Sequence, residues 1–182
     1  MVAVLFARSD SIYKSLPECD VFDEERDART YQGEGPVVAH PPCRAWGRLR
    51  MQAKPRPGEK ELAHFAVNQV RRCGGVLEHP MYSTLWKAAG LPLPGCVDEF
   101  SGWTLPVFQC WWGHKAQKAT WLYICGVNPG CMPVMPLNLA EPTHVVAKSK
   151  KRRDRPELSK KSREATPVEF AKWLCEVARL TA

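Results

Sequence analysis

The stretch PGEKELAHFAVNQVRRCGGVLEHP, residues 57–80, decides the fold class. Pro57 and Gly58 open a helix. Glu59 and Glu61 fall in its first turn, and Arg71 and Arg72 suit the negative end of its dipole. Leu62, Phe65, Ala66, Gln69, Val70 and Cys73 recur at the spacing of one helical face, and Gly74 ends the run. Gly75-Val76-Leu77 then reads as a short buried strand that ends at Glu78-His79-Pro80. Such a strand, following a helix directly, is half of a strand–helix–strand unit.

The other half lies upstream. Pro36–Ala39 (PVVA) is an apolar run ending in His40-Pro41-Pro42-Cys43. Met1–Phe6 (MVAVLF) and Asp20–Phe22 read as two further strands, the latter ending at Asp23, with a short helix expected over 9–16 capped by Ser9 or Asp10. Downstream, a short helix over 83–89 closes at Gly90, and strands are expected near 105–111 and 120–127. No helical pattern separates these last two, so they are expected to pair antiparallel. Residues 128–147 are Pro-rich and irregular, and an amphipathic helix over 166–180 ends the chain. Strands alternating with helices predict a three-layer α/β domain with a mainly parallel sheet.

The 182 residues suit one domain, or a domain with a tail. No run approaches the roughly 18–20 apolar residues that span a bilayer. The apolar start has no basic region before it and no cleavage site after it, so it reads as a strand and not a signal peptide. The formal charge is +7. Residues 148–163 hold nine basic side chains against two acids, while the remainder balances at 17 against 17. A concentrated basic segment on a neutral body suggests a polyanion contact, nucleic acid first, or else a solvated linker. The eight cysteines contain no CxxC pair and the five histidines are scattered, so no zinc site is expected. Most of the cysteines read as small buried apolar groups. Trp103 and Trp121 read as core. Trp111 and Trp112, on a strand, would point to opposite faces.

Ligands bind at the carboxyl ends of strands in such sheets. Asp23, Cys43 and Glu78 each follow an apolar run there. Cys43 is a nucleophile if its pKa is lowered, with Arg44 adjacent and the double proline aiming it. A desolvated Glu78 with a raised pKa would donate a proton. A thiolate and a proton-donating acid together suit addition to C6 of a pyrimidine, which turns C5 into an enamine carbon that can take an electrophile.

These residues resemble a shortened cytosine-5 DNA methyltransferase. Pro41-Pro42-Cys43 resembles that family's Pro-Cys nucleophile loop, and Glu78-His79-Pro80 its Glu-Asn-Val element, with His79 for Asn. Asp23 resembles the acidic strand end that holds the cofactor ribose. Residues 113–126 resemble the Gln-x-Arg-x-Arg segment; Gln117 matches, while Ala119 and Trp121 stand at the arginine positions. Arg163–Glu169 resembles Arg-x-Leu-Thr-x-x-Glu. The family's Gly-rich turn after the first strand is absent here, where Phe6-Ala7-Arg8-Ser9-Asp10 stands.

The resemblance implies a Rossmann-like fold for S-adenosylmethionine-dependent methyl transfer. Residues 1–147 would form the catalytic domain, with a reduced recognition region at 127–147. Residues 148–163 would be a basic segment, and 164–182 a helix packed on the domain. Cys43 would attack a base flipped from the duplex and Glu78 would assist at N3. Arg44, Gln117 and Lys118 would position the base or the loop. Phe6, Asp23 and Pro41 would contact S-adenosylmethionine. Lys118, Lys150, Lys151, Arg152, Arg153, Arg155 and Arg163 would hold DNA, and no metal is implied. A monomer is expected, in the cytoplasm of a bacterium or a phage-infected cell. Two further readings stay open. One is a DNA-binding relative that does not methylate or is inactive. The other is an enzyme acting on free pyrimidine nucleotides.

Overall fold

The computed structural model describes residues 1–147 and 154–181. Its centre is a six-stranded sheet: β1 (Val2–Leu5), β2 (Cys19–Phe22), β3 (Val37–Ala39), β4 (Gly75–Pro80), β5 (Trp103–Phe108) and β6 (Ala119–Cys125). The strand order is β2-β1-β3-β4-β6-β5. The first four strands pair in parallel; β6 is antiparallel to both β4 and β5. Thus β5 runs in the same direction as β1–β4, and β6 is the single reversed strand. β1 and β3 are apolar throughout and buried at every residue, as a strand covered on both faces requires.

Helix α1 (Glu59–Cys73) covers one face. Ala63, Ala66, Val67 and Val70 pack there against Ala3, Leu5, Val37, Leu77 and Tyr123. A short helix, α2 (Leu85–Ala88), adds Leu85 and Trp86. Helix α4 (Val168–Arg179) covers the opposite face, where Phe170, Trp173, Leu174 and Val177 meet Val4, Val38, Val76 and Ile124. Between them lies the short α3 (Lys160–Glu164). The α/β expectation and the antiparallel pairing of the last two strands are both observed. At Gly75, φ is +122° and a Cβ would come within 2.0 Å of the Val37 carbonyl oxygen, so only glycine lets α1 run straight into β4 beside β3.

Several local expectations need correction. The helix over 9–16 is a 3-10 turn, Ile12–Ser15, capped by Ser11. β4 continues to Pro80, so Glu78 lies inside the strand and not at its end. β5 starts at Trp103 and stops at Phe108, because Gln109–Trp112 curl into a 3-10 turn closed by Gly113 at φ +88°. Trp111 and Trp112 therefore do not alternate across a strand; Trp112 is buried against Phe170 and Trp173 at 4.8 and 4.9 Å. Cys125 and Cys175 are buried, but Cys43, Cys96 and Cys131 are exposed and the other three are intermediate. The thiols are thus mostly not core groups.

Candidate active site at the carboxyl edge of the sheet

Side chains alternate across a sheet, so a residue two positions beyond a core residue shares its face. Val38, Val76, Val107 and Leu122 face α4. Two positions further towards the carboxyl edge come His40, Glu78 and Gln109; on the reversed β6, Thr120 lies on the same face, paired with Pro80 and Val107. These four polar residues share that face near the carboxyl edge, and the other three converge on Glu78. The Glu78 Oε1 accepts from Gln109 Nε2 at 2.9 Å and from Thr120 Oγ1 at 3.4 Å. Its Oε2 lies 3.1 Å from His40 Nδ1, and His40 Nε2 lies 3.0 Å from the Tyr13 hydroxyl. An ionised carboxylate only accepts, so Nδ1 carries the proton.

Glu78 is ionised. Burial pushes its pKa up, but the Lys118 charge and then the His40 hydrogen bond lead the opposing effects and hold it at about 2. This corrects the expected proton donor: Glu78 has a raised-pKa environment in its burial alone, and its partners reverse the sign. His79 points to the other face, fully buried, with neither ring nitrogen hydrogen-bonded. Burial lowers its pKa to about 4, against the opposing Glu78 charge and the nearby Pro42 carbonyl, so the ring is neutral at pH 7. Two acceptor-capable atoms of this edge stay unpartnered and buried, Gln109 Oε1 and His114 Nε2.

Cys43 lies four residues past the end of β3, in a turn whose Cys43 carbonyl accepts the Trp46 and Gly47 N–H groups at 3.0 and 2.8 Å. The residue as a whole is exposed. Protein atoms crowded round its thiol, and then the Glu78 charge, push its pKa up despite Lys118. The expected activation by Arg44 is absent because that guanidinium is bound to the Glu59 carboxylate at 2.8 and 2.6 Å. The charges of Glu78 and Lys118 both reach the Cys43 thiol, in opposite senses. Gln117 is exposed and makes no hydrogen bond among the described residues.

The β1–β2 end is different. Asp23 is buried, with Oδ2 on Lys14 Nζ at 2.5 Å and Oδ1 accepting the Glu25 and Arg26 N–H groups at 3.0 and 3.1 Å. The Lys14 bond, with these amides, holds its pKa at about 2. Phe6 turns the chain at φ +61°, and its ring meets Phe65. Arg8 is tied to Asp10 and to the Lys161 carbonyl. S-adenosylmethionine would need open acceptors at Asp23 and a close backbone approach after β1. Three of its roughly four acceptor sites are taken, which leaves too few for both ribose hydroxyls, and no glycine stands after β1, so these residues do not fit that group. Pro41 is buried beside β3.

The basic segment divides. Lys148, Lys150, Lys151, Arg152 and Arg153 lie outside the described residues. Arg155 binds the Pro142 carbonyl and Glu141, and Arg163 the Val146 carbonyl and Glu157. These two arginines stitch 141–147 to the chain that returns. Among the described residues no group of three or more His, Cys, Asp or Glu could hold a metal, and no helix is long and apolar enough to cross a membrane.

Sequence reasoning missed Tyr13, His40, Gln109, Thr120 and His114. For His40 and Gln109 a signal existed, a polar residue directly after an apolar strand. For Tyr13, 27 positions from His40, none did. No known protein family, curated protein or solved structure matches the chain.

Proposed function

We propose that this edge is a cytosine-directed active site in which the Cys43 thiol adds to C6 of a pyrimidine base in DNA. The observation that carries the reading is the buried Glu78 carboxylate, held by His40, Gln109 and Thr120 one strand from the Cys43 turn. The strand order with one reversed strand is compatible with a Rossmann-like methyltransferase fold. The ordered motifs from Pro41-Pro42-Cys43 to Arg163–Glu169 support the same assignment.

The charge states set the proton path. Addition of a neutral thiol forms the S–C6 bond, moves the C5=C6 electrons towards C5 and releases the sulfur proton. N3 gains one proton. The Glu78 anion keeps one acceptor site, on Oε2 beside His40, for the N3–H of the protonated base, and would pass the thiol proton across. C5 is then an enamine carbon. Taking a proton from water there, losing the original one to water and expelling the thiolate, to which the N3 proton returns through Glu78, gives back the thiol and the base with its C5 hydrogen exchanged. No step is routed through S-adenosylmethionine. The engaged oxygens of Asp23 favour a relative that activates C5 without methylating it.

Incubation of cytosine-containing oligonucleotides in D2O, followed by nucleoside mass spectrometry, tests this. Deuterium should enter C5 with the parent protein and not with Cys43→Ser. No exchange on any single-stranded or duplex sequence, or equal exchange by Cys43→Ser, sinks the reading.

A further inference from the structure

Tyr82 stands just past β4, at the same edge as Glu78, and it is 72% exposed. Its φ is +62°, a left-handed conformation that a bulky residue rarely adopts. The turn is fixed by the Met81 N–H on the Ala119 carbonyl and the Ser83 N–H on the Pro80 carbonyl. The ring lies 5.1 Å from Trp121, which lies 5.2 Å from Trp86, and both tryptophans are buried. Tyr82 is therefore the outermost ring of a braced aromatic stack. A strained aromatic held out to solvent at a site's rim is a reason to look for something that stacks on it.

The neighbouring loop supplies charge. Residues 44–58 hold Arg44, Arg48, Arg50, Lys54 and Arg56 and no acid. Arg44 is engaged by Glu59 and Arg56 by Glu24. Arg48, Arg50 and Lys54 are exposed and have no acidic partner among the described residues. The loop is tied to the Tyr82 turn: the Trp46 carbonyl accepts the Thr84 N–H at 3.0 Å, its hydroxyl at 3.1 Å and the Ser83 hydroxyl at 3.4 Å. Tyr82 and Arg48 each stand two residues from this tie, and Cys43 opens the same loop.

We propose that Tyr82 with Arg48, Arg50 and Lys54 forms the surface that holds an unpaired nucleic-acid strand beside Cys43. A base stacks on the Tyr82 ring while the three cations take its flanking phosphates. Stacking asks only for a π-face, so this surface reads little sequence. The inference deepens the reading of the edge as a base-modifying site, but it is tested by binding alone.

The test is fluorescence anisotropy of the full chain with a labelled mixed-pyrimidine single strand, across a salt series. Tyr82→Ala should weaken binding about tenfold, and Tyr82→Phe should stay within about twofold. The triple change Arg48→Ser, Arg50→Ser and Lys54→Ser should flatten the plot of log K against log salt by about 2. Tyr82→Gly should lose as much affinity as Tyr82→Ala without a lower melting temperature, because glycine adopts the left-handed turn freely. The proposal is overturned if the parent chain binds no single strand at low salt, or if neither Tyr82→Ala nor the triple variant differs from the parent. It is also overturned if only the change of Lys150, Lys151, Arg152 and Arg153 to Ser abolishes binding. Binding that responds as expected with no C5 exchange keeps the surface and removes the enzyme reading; exchange with indifferent binding does the reverse.

Discussion

Two ends of one sheet edge hold carboxylates of nearly equal acidity, and they are built for different purposes. Asp23, after β2, spends its oxygens on Lys14 and two backbone N–H groups of its own loop. Glu78, on β4, is held by side chains from three other segments, His40, Gln109 and Thr120. Both have pKa values near 2. The lesson is that a depressed pKa alone does not mark a site. A loop-closing acid and an acid at a convergence of strands reach the same value by different partners. The convergence is what leaves unpartnered polar atoms beside Glu78, at Gln109 and His114, with nothing comparable around Asp23.

The largest break in this comparison should come from Glu78→Gln. It removes the anion that faces the base, and C5 exchange should fall by about 10² to 10⁴-fold. Asp23→Asn should leave exchange within about threefold. Equal losses from the two variants in the deuterium assay would erase the distinction.

Acid should separate the two faces of β4 next. His79 has a folded pKa below its ordinary 6.5, so the stability tied to its neutral form is present above pH 6.5 and is lost as pH falls towards 4. Glu78 also has a depressed pKa, and its share is present above its ordinary 4.5 and is lost on the way to about 2. That second share is on the order of 3 kcal/mol. Thermal melting between pH 7 and pH 3 should therefore fall in two overlapping stages. His79→Gln should remove the upper one, and a melting temperature flat between pH 7 and pH 5 in the parent would refute the assignment.

A smaller effect is expected from Phe6→Gly. Glycine relieves the left-handed backbone by roughly 1 kcal/mol, while the contact with Phe65 is lost, so stability by urea titration should move by less than about 1 kcal/mol. The smallest expected effect is none: calorimetry with S-adenosylmethionine at millimolar concentration should give no binding heat. A clear heat that Asp23→Asn abolishes would show that Lys14 yields its place to a ribose, and would restore the β1–β2 end as a donor site.

Helix α1 and strands β1 and β3 were legible because their periodicity and punctuation are local: Gly58, Gly74 and an unbroken apolar run suffice. The direction of β5 was not legible as such. It follows from two antiparallel pairings through β6, and each depends on residues far apart in the chain. Cys43 and Glu78 could be selected as candidates because each follows an apolar strand. Their ionisation could not. Arg44, adjacent in sequence, turns away to Glu59, and Lys118, 40 positions from Glu78 in the chain, dominates the forces that keep Glu78 charged.

The amino-acid sequence by itself determined the α/β class, the position of the main helix and which chemical groups follow its apolar runs, since all of these rest on patterns within a few residues. Only the tertiary structure decided that His40, Gln109 and Thr120 converge on Glu78, that Glu78 is an anion and the Cys43 pKa is raised, and that Asp23 is engaged by its own loop and Lys14. The physical reason is that pKa and hydrogen-bond partnership depend on distance in space, and strand pairing brings together side chains that the chain order keeps apart.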